Sequence, residues 1–201
     1  MTKSRGERGF TMLEIIVILA VIAIMAAVLS PMVLNYIDDA KMAKAEGDVR
    51  TLGQVVLTLT KDVQHFPMYT DGTVTTGDPT VELLRGPGNT PTDSTASGQQ
   101  WLTTTKLGEL ENHLVKNNPG TAKYGTIGHF VWKGPYLEKV NEDPWGNRYL
   151  INIKNGNPGD PDKKVIWVLS AGPNGKIETN PNALTDSGPA AGGDDVAIRI
   201  R

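Results

Sequence analysis

From Ile15 to Leu29 the chain carries no polar side chain. With Phe10 to Leu13 before it and Ser30 to Val33 after it, the run approaches the roughly 20 residues a helix needs to cross a bilayer. Pro31 follows closely. A proline usually kinks a helix, and in a membrane helix neighbouring groups can satisfy the freed carbonyl, so the helix can continue past it. Beyond it the pattern changes. Ala45, Val49, Leu52, Val56, Leu59 and Val63 recur at spacings of 4, 3, 4, 3 and 4, one apolar stripe on an amphipathic helix. Lys41, Lys44, Glu46, Asp48, Arg50, Lys61 and Asp62 lie mostly off that stripe, which reads as core packed on a sheet. Gly47 and Gly53 weaken the helix by about 1 kcal/mol each relative to alanine. His65-Phe66-Pro67 predicts its end, because the residue before a proline disfavours the α conformation. The pattern thus predicts one helix from Phe10 to about Gln64, roughly 80 Å long at 1.5 Å per residue.

The remainder is less regular. Met68 to Ser97 is rich in Thr, Gly, Pro, Asp and Ser and reads as a long surface connection, with one helical turn at Val81 to Leu84. Leu107, Leu110 and Leu114 predict a short helix ended by Asn117-Asn118-Pro119-Gly120. His113 on it has no second ligand in helical register, so a solvated or capping role is expected. His129 to Trp132 is a candidate short strand. Asp143-Pro144-Trp145-Gly146 fits a type I turn, with Asp143 bonding turn amides and Trp145 folding onto the core. Arg148 to Lys154 alternates as a half-buried strand. Asn155 to Lys163 is a Gly/Pro/Asp loop, Lys164 to Ser170 a β-rich run, and Asp195 to Arg201 a last strand. Three strands beside a long helix imply an α+β layer arrangement with a small antiparallel sheet.

Charge and composition narrow the partners. Ahead of the apolar run, Met1 to Gly9 holds Lys3, Arg5 and Arg8 against Glu7; the rest of the chain carries 17 basic and 21 acidic residues. That balance argues against nucleic acid as the main partner. A basic leader with no comparable cluster after the span predicts an inside N-terminus and an outside remainder. There is no cysteine, so thiol chemistry and zinc–cysteine sites are ruled out. An exported domain without disulfides must hold its loops by its core or by a metal.

One carboxylate, Glu14, stands at the head of the apolar run. An acid there costs on the order of 2.5–3.5 kcal/mol on insertion scales and is a functional hypothesis by default. An ordinary signal peptide is cut after its apolar region; here the natural break, Gly9/Phe10, precedes it. Cutting there leaves the helix on the mature chain and a new amine four residues from Glu14. That amine can neutralise Glu14 of its own or a neighbouring subunit, since a buried charge needs a partner. Gly9, Phe10, Thr11, Leu13 and Glu14 resemble the class III signal of type IV pilins and type II secretion pseudopilins. The resemblance implies that a prepilin peptidase cuts after Gly9 and methylates Phe10, and that Glu14 sets register between subunits.

Gly134-Pro135-Tyr136-Leu137 followed by Asp143-Pro144-Trp145-Gly146-Asn147-Arg148-Tyr149 resembles the start of the sheet in the major pseudopilins of type II secretion systems, the general secretion pathway protein G family. That family implies a type IV pilin-like fold and a calcium site between the last two strands. On residues alone, Ser170 to Glu178, Asp186 and Gly192 to Asp195 make a Gly/Asn/Asp loop whose ordinary reading is solvated turns. The family's Leu-Gly-Ala-Asp-Gly segment becomes Leu169-Ser170-Ala171-Gly172-Pro173-Asn174-Gly175. Carried over, Leu169 offers a carbonyl, Asn174 takes the acid's place, and Asp194 and Asp195 supply carboxylates. An amide for an acid lowers the site's charge and predicts weaker binding; the longer loop leaves Ser170, Glu178 or Asp186 open as substitutes.

The expectation is a structural subunit and not an enzyme. Residues 1–9 form the removed leader, 10–34 the transmembrane and filament-core segment, and 35–201 a periplasmic head, with helix to about 64, a variable region over 66–133, and sheet plus calcium loop over 134–201. The resemblance implies a single-pass inner-membrane protein that enters a periplasmic filament of its own copies. Its partners would be minor pseudopilins, the inner-membrane secretion platform and prepilin peptidase. Two alternatives stay open. One is a type IV pilin of a surface fibre. The other is a membrane-anchored envelope enzyme or binding protein, for which the scattered His65, His113 and His129 give no nucleophile–base spacing.

Overall fold

The computed structural model describes residues 9–67, 81–93, 100–119, 123–154, 166–181 and 191–200. The Asn155–Lys163 loop, Asp186 and most of the leader lie outside them. The chain divides into two compact units, Met1–Ala40 and Lys41–Arg201. Helix α1, Met12–Val63, runs through both.

In the first unit every described side chain is exposed, including the apolar run from Phe10 to Leu34. The second unit holds the core. Its helical stripe, Ala45, Val49, Leu52, Val56, Leu59 and Val63, is buried as its spacing predicts. It packs on a five-stranded sheet made of β1 (Leu83–Arg85), β2 (Leu107–Glu109), β3 (Leu150–Asn152), β4 (Trp167–Ser170) and β5 (Val196–Arg199). The strand order is β2-β1-β3-β4-β5. All pairs are antiparallel except β1 with β2.

The registers place Leu84, Ile151, Val168 and Ile198 in one row across the sheet, and all four join the helix core. The other face is covered too. Leu83, Leu150, Trp167 and Leu169 pack there with Trp101, Ala171 and Ile177 in a second core. This corrects the half-buried strand expected over Arg148 to Lys154: Tyr149, Leu150, Ile151 and Ile153 are all buried. At Gly53 α1 lies close to the last strand and the residue after it; a Cβ there would stand 2.8 Å from Ile198 Cδ1 and from Ile200 Cγ2.

Four other expectations are corrected. Val81 to Leu84 is not a helical turn, since β1 begins at Leu83 and pairs with β3. The helix expected from Leu107 starts only at Leu110, as α2 (Leu110–Leu114), because the preceding residues pair with β1 as β2. His129 to Trp132 forms no strand. His113 is neither solvated nor a cap; it is fully buried, with Nδ1 2.6 Å from the Tyr124 hydroxyl.

Candidate functional site

Two regions carry features a core does not need. The first is the start of α1. Thr11 and Glu14 form a capping box: the Glu14 amide donates to Thr11 Oγ1 at 3.2 Å, and the Glu14 carboxylate accepts from the Thr11 amide at 3.3 Å. Reciprocal bonds of this kind satisfy amides that the first helical turn leaves unpaired. The carboxylate thus sits beside the residue that follows Phe10, in a fully exposed setting. Behind it, the helix's most apolar window is entirely unburied; among the described residues α1 is the one helix long and apolar enough to cross a membrane.

The second region is the β4–β5 connection. Its frame begins at Asp143, which holds the turn before β3. Asp143 Oδ1 accepts the amides of Trp145 and Asn147 at 3.0 and 2.7 Å, while Oδ2 accepts the Ser170 hydroxyl at 2.7 Å. The turn therefore ties to the last residue of β4. Trp145 packs on the helix core as its sequence context predicts.

After β4 the chain turns at Gly172, whose φ is +63°. A Cβ at this position would overlap the Asp194 carbonyl, so only glycine lets the two segments approach. Asn174 donates its amide N–H to Asp194 Oδ2 at 3.1 Å. Its side-chain oxygen accepts the Lys176 amide at 2.6 Å, and its Nδ2 lies 3.4 Å from Glu178 Oε2.

Thr179 and Asp195 lock the returning strand. Asp195 Oδ2 accepts the Glu178 amide at 2.8 Å, the Thr179 amide at 2.6 Å and the Thr179 hydroxyl at 2.7 Å. Thr179 Oγ1 in turn accepts the Gly192 amide at 3.0 Å, and its carbonyl accepts the Trp101 indole N–H at 2.8 Å. Asp195 is 7% exposed and Thr179 1%. Burial pushes the Asp195 carboxyl above the usual carboxylate range, hydrogen bonds from Thr179 and Glu178 pull against that, and the Glu178 charge adds to the rise.

Each Asp of the pair keeps one orphan. Among the described residues, Asp194 Oδ1 and Asp195 Oδ1 are buried and have no hydrogen-bond partner. Buried polar atoms are nearly always paired, and an exception points to an ion or water. A hard cation taking oxygen ligands fits these two atoms. Among the described residues no group of three or more carboxylates or imidazoles converges to hold a metal, so backbone carbonyls would have to complete the shell. The structure brings Asn174, Asp194 and Asp195 together and places Glu178 beside them. Leu169 presents its side chain to the second core. Thr179 and Trp101 were missed by sequence reasoning, and no local signal marks either.

Known proteins match this chain at its N-terminus and over much of its head. The prokaryotic N-terminal methylation motif matches residues 4–30, and the type II secretion system protein G model matches residues 111–185. The type II secretion system core protein G of Escherichia coli K12 is 25% identical over 179 residues, 89% of this chain and 90% of that protein. The core protein G of Pseudomonas aeruginosa is 26% identical over 145 residues, 72% of each chain. No solved structure gave a significant match. A long N-terminal helix on a small sheet, headed by a methylation motif, defines the pilin-like class of subunits. Within it, the chain is similar to the type II secretion system protein G family, whose members are structural pseudopilins and not enzymes.

Proposed function

We propose that this chain is the major subunit of a periplasmic pseudopilus. It is cut between Gly9 and Phe10 by a prepilin peptidase, methylated on Phe10, and held in the inner membrane with its N-terminus cytoplasmic and its head periplasmic. It then polymerises with its own copies, beside minor pseudopilins and the inner-membrane platform. The observation that carries this reading is the apolar run from Phe10 to Leu34, every described side chain of which is exposed. At about 25 cal/mol per Å², such a surface demands a bilayer or other copies of itself. Glu14, held by Thr11, supplies the charge that the Phe10 amine of an adjacent subunit can neutralise as helices pack.

The same reading assigns calcium to the β4–β5 connection, held by Asp194 and Asp195 with Asn174 beside them. It rests on the two orphaned carboxylate oxygens. A bound cation would cross-link the chain at residues 174 and 194–195 without a disulfide.

The test is complementation of secretion in cells lacking the native subunit. Glu14→Ala is expected to give a folded, membrane-bound chain that neither polymerises nor restores export. Mass spectrometry of the wild-type chain is expected to show Phe10 at the N-terminus with one added methyl group. Normal export and polymerisation by the Glu14 variant would sink the register role. An uncut chain in exporting cells would sink the processing step.

A further inference from the structure

The head covers nearly all of its large apolar side chains. Among the described residues from Lys41 onward, only Leu57, Ile127 and Phe130 stay exposed. Leu57 stands alone on α1 at 41%, whereas Ile127 at 94% and Phe130 at 65% share one loop tip. A single exposed leucine is ordinary; two large apolar side chains grouped on one tip mark a contact surface. The tip is held out by its base. The Trp132 amide donates to the Gly125 carbonyl at 2.8 Å and closes the loop, and Gly128 makes its turn at a φ of +123°. The Trp132 indole donates to the His113 carbonyl at 3.0 Å, and Lys133 Nζ meets Asp62 Oδ1 at 2.9 Å in the last turn of α1. The loop therefore stands at the end of the head where α1 stops.

A groove at the opposite end of the head matches it. Between α1 and β5 lies a cavity of about 220 Å³, with Met42, Val196 and Ile198 as apolar lining and Glu46, Arg50 and Asp195 as polar lining. Glu46 and Asp62 are 16 residues apart on α1, so groove and loop base are separated by about 24 Å along the helix axis. Charge is complementary too. From Lys123 to Lys133 the chain holds two lysines, His129 and no acid. The groove holds two carboxylates against one guanidinium, and Glu46 meets Arg50 only loosely, at 3.9 Å with both side chains mostly exposed. A patch that fits a different patch of an identical chain makes a head-to-tail contact, which repeats into an open helical fibre instead of closing a dimer. We propose that Ile127 and Phe130 of one copy seat in the α1–β5 groove of the next, with His129 beside that copy's Glu46. This rests on the filament reading above and adds the surface through which successive heads stack; association itself stays with the apolar half of α1.

The chain has no cysteine, so a cysteine pair placed at the contact reports on that contact alone. The full-length Glu46→Cys/His129→Cys variant, which leaves both apolar anchors in place, is expressed in cells lacking the native subunit. Sheared filaments are mildly oxidised and separated without reductant. The expected result is a ladder of multimers from the double variant and monomer from each single variant, because only unlike positions meet. Adding Ile127→Ser and Phe130→Ser is expected to reduce the ladder roughly tenfold or more, with the unfolding midpoint in detergent unchanged because both residues are exposed. A ladder undiminished by the two serines overturns the role of the anchors. Filaments like those of the wild type that give no 46–129 cross-link overturn the contact and leave the filament reading standing. Bands that stop at a dimer, or cross-links from position 129 to a different protein, overturn the head-to-tail assignment to a second copy. A wild type that assembles no filament overturns both.

Discussion

Asp195→Ala separates the structural role of this carboxylate from any role toward a cation. The substitution removes the one oxygen that accepts the Glu178 amide, the Thr179 amide and the Thr179 hydroxyl. An orphaned buried donor costs about 1–3 kcal/mol. The Thr179 amide is deeply buried and pays in full; the Glu178 amide reaches water and pays in part; the hydroxyl can turn elsewhere. Set against this, an ionised carboxyl that burial disfavours is gone, which returns some stability. The net is a loss of roughly 2–3 kcal/mol, or about 5–10 °C in unfolding midpoint for a chain of this size. The assay is thermal unfolding in excess chelator. Asp195→Asn keeps an acceptor at the same place and is expected to lose less than about 1 kcal/mol in chelator, while losing calcium stabilisation. An Asp195→Ala midpoint within about 1 °C of wild type in chelator would refute the clasp, because no arrangement of these three bonds could then contribute to the fold.

Other consequences follow from the same packing. Tyr149 donates to Asp48 Oδ2 at 2.8 Å, linking β3's approach to α1. Asp48 borders a cavity of about 110 Å³ where water can replace the lost partner, so Tyr149→Phe is expected to cost about 1–2 kcal/mol at neutral pH by denaturant unfolding. Burial and the Asp48 charge push the Tyr149 phenol well above its ordinary value. Below pH about 10 both states keep that proton; above it the unfolded state ionises first and stability falls, so Tyr149→Phe should flatten the alkaline limb of a stability–pH curve. Gly172→Ala meets both a left-handed backbone and the Asp194 carbonyl, and is expected to lower the midpoint and abolish calcium binding together. Ile151→Ala, in the centre of the sheet at 0% exposure, is expected to cost about 2–5 kcal/mol in the same assay.

Parts of this molecule were legible from sequence for identifiable reasons. The stripe from Ala45 to Val63 has one buried face, so its period survives in the sequence and its end at Val63 lies one residue from the expected end. The Asp143 turn is local, and its bonds to residues 145 and 147 could be read from composition. The sheet was harder. β1 and β2 are three residues each, too short to show alternation, and burial on both faces erases the alternation that marks a strand. The Thr179–Asp195 clasp joins residues 16 apart, and Asp143 meets Ser170 across 27; neither distance leaves a local pattern. At the N-terminus the signal was present but shadowed. Thr11-x-x-Glu14 has the spacing of a capping box, yet beside a long apolar run the same carboxylate reads first as a buried charge and a signal residue.

The sheet's two rims bear on how such a subunit behaves when crowded. β2 forms one edge with three residues, and β5 the other with four, ending at an exposed Arg199. Long, flat, apolar rims template strand addition and drive aggregation; short or charged ones resist it. Packed side by side in a membrane, these chains would have little opportunity to fuse through their sheets. In the proposed filament, self-association would fall to the helix, where it can be ordered and reversed.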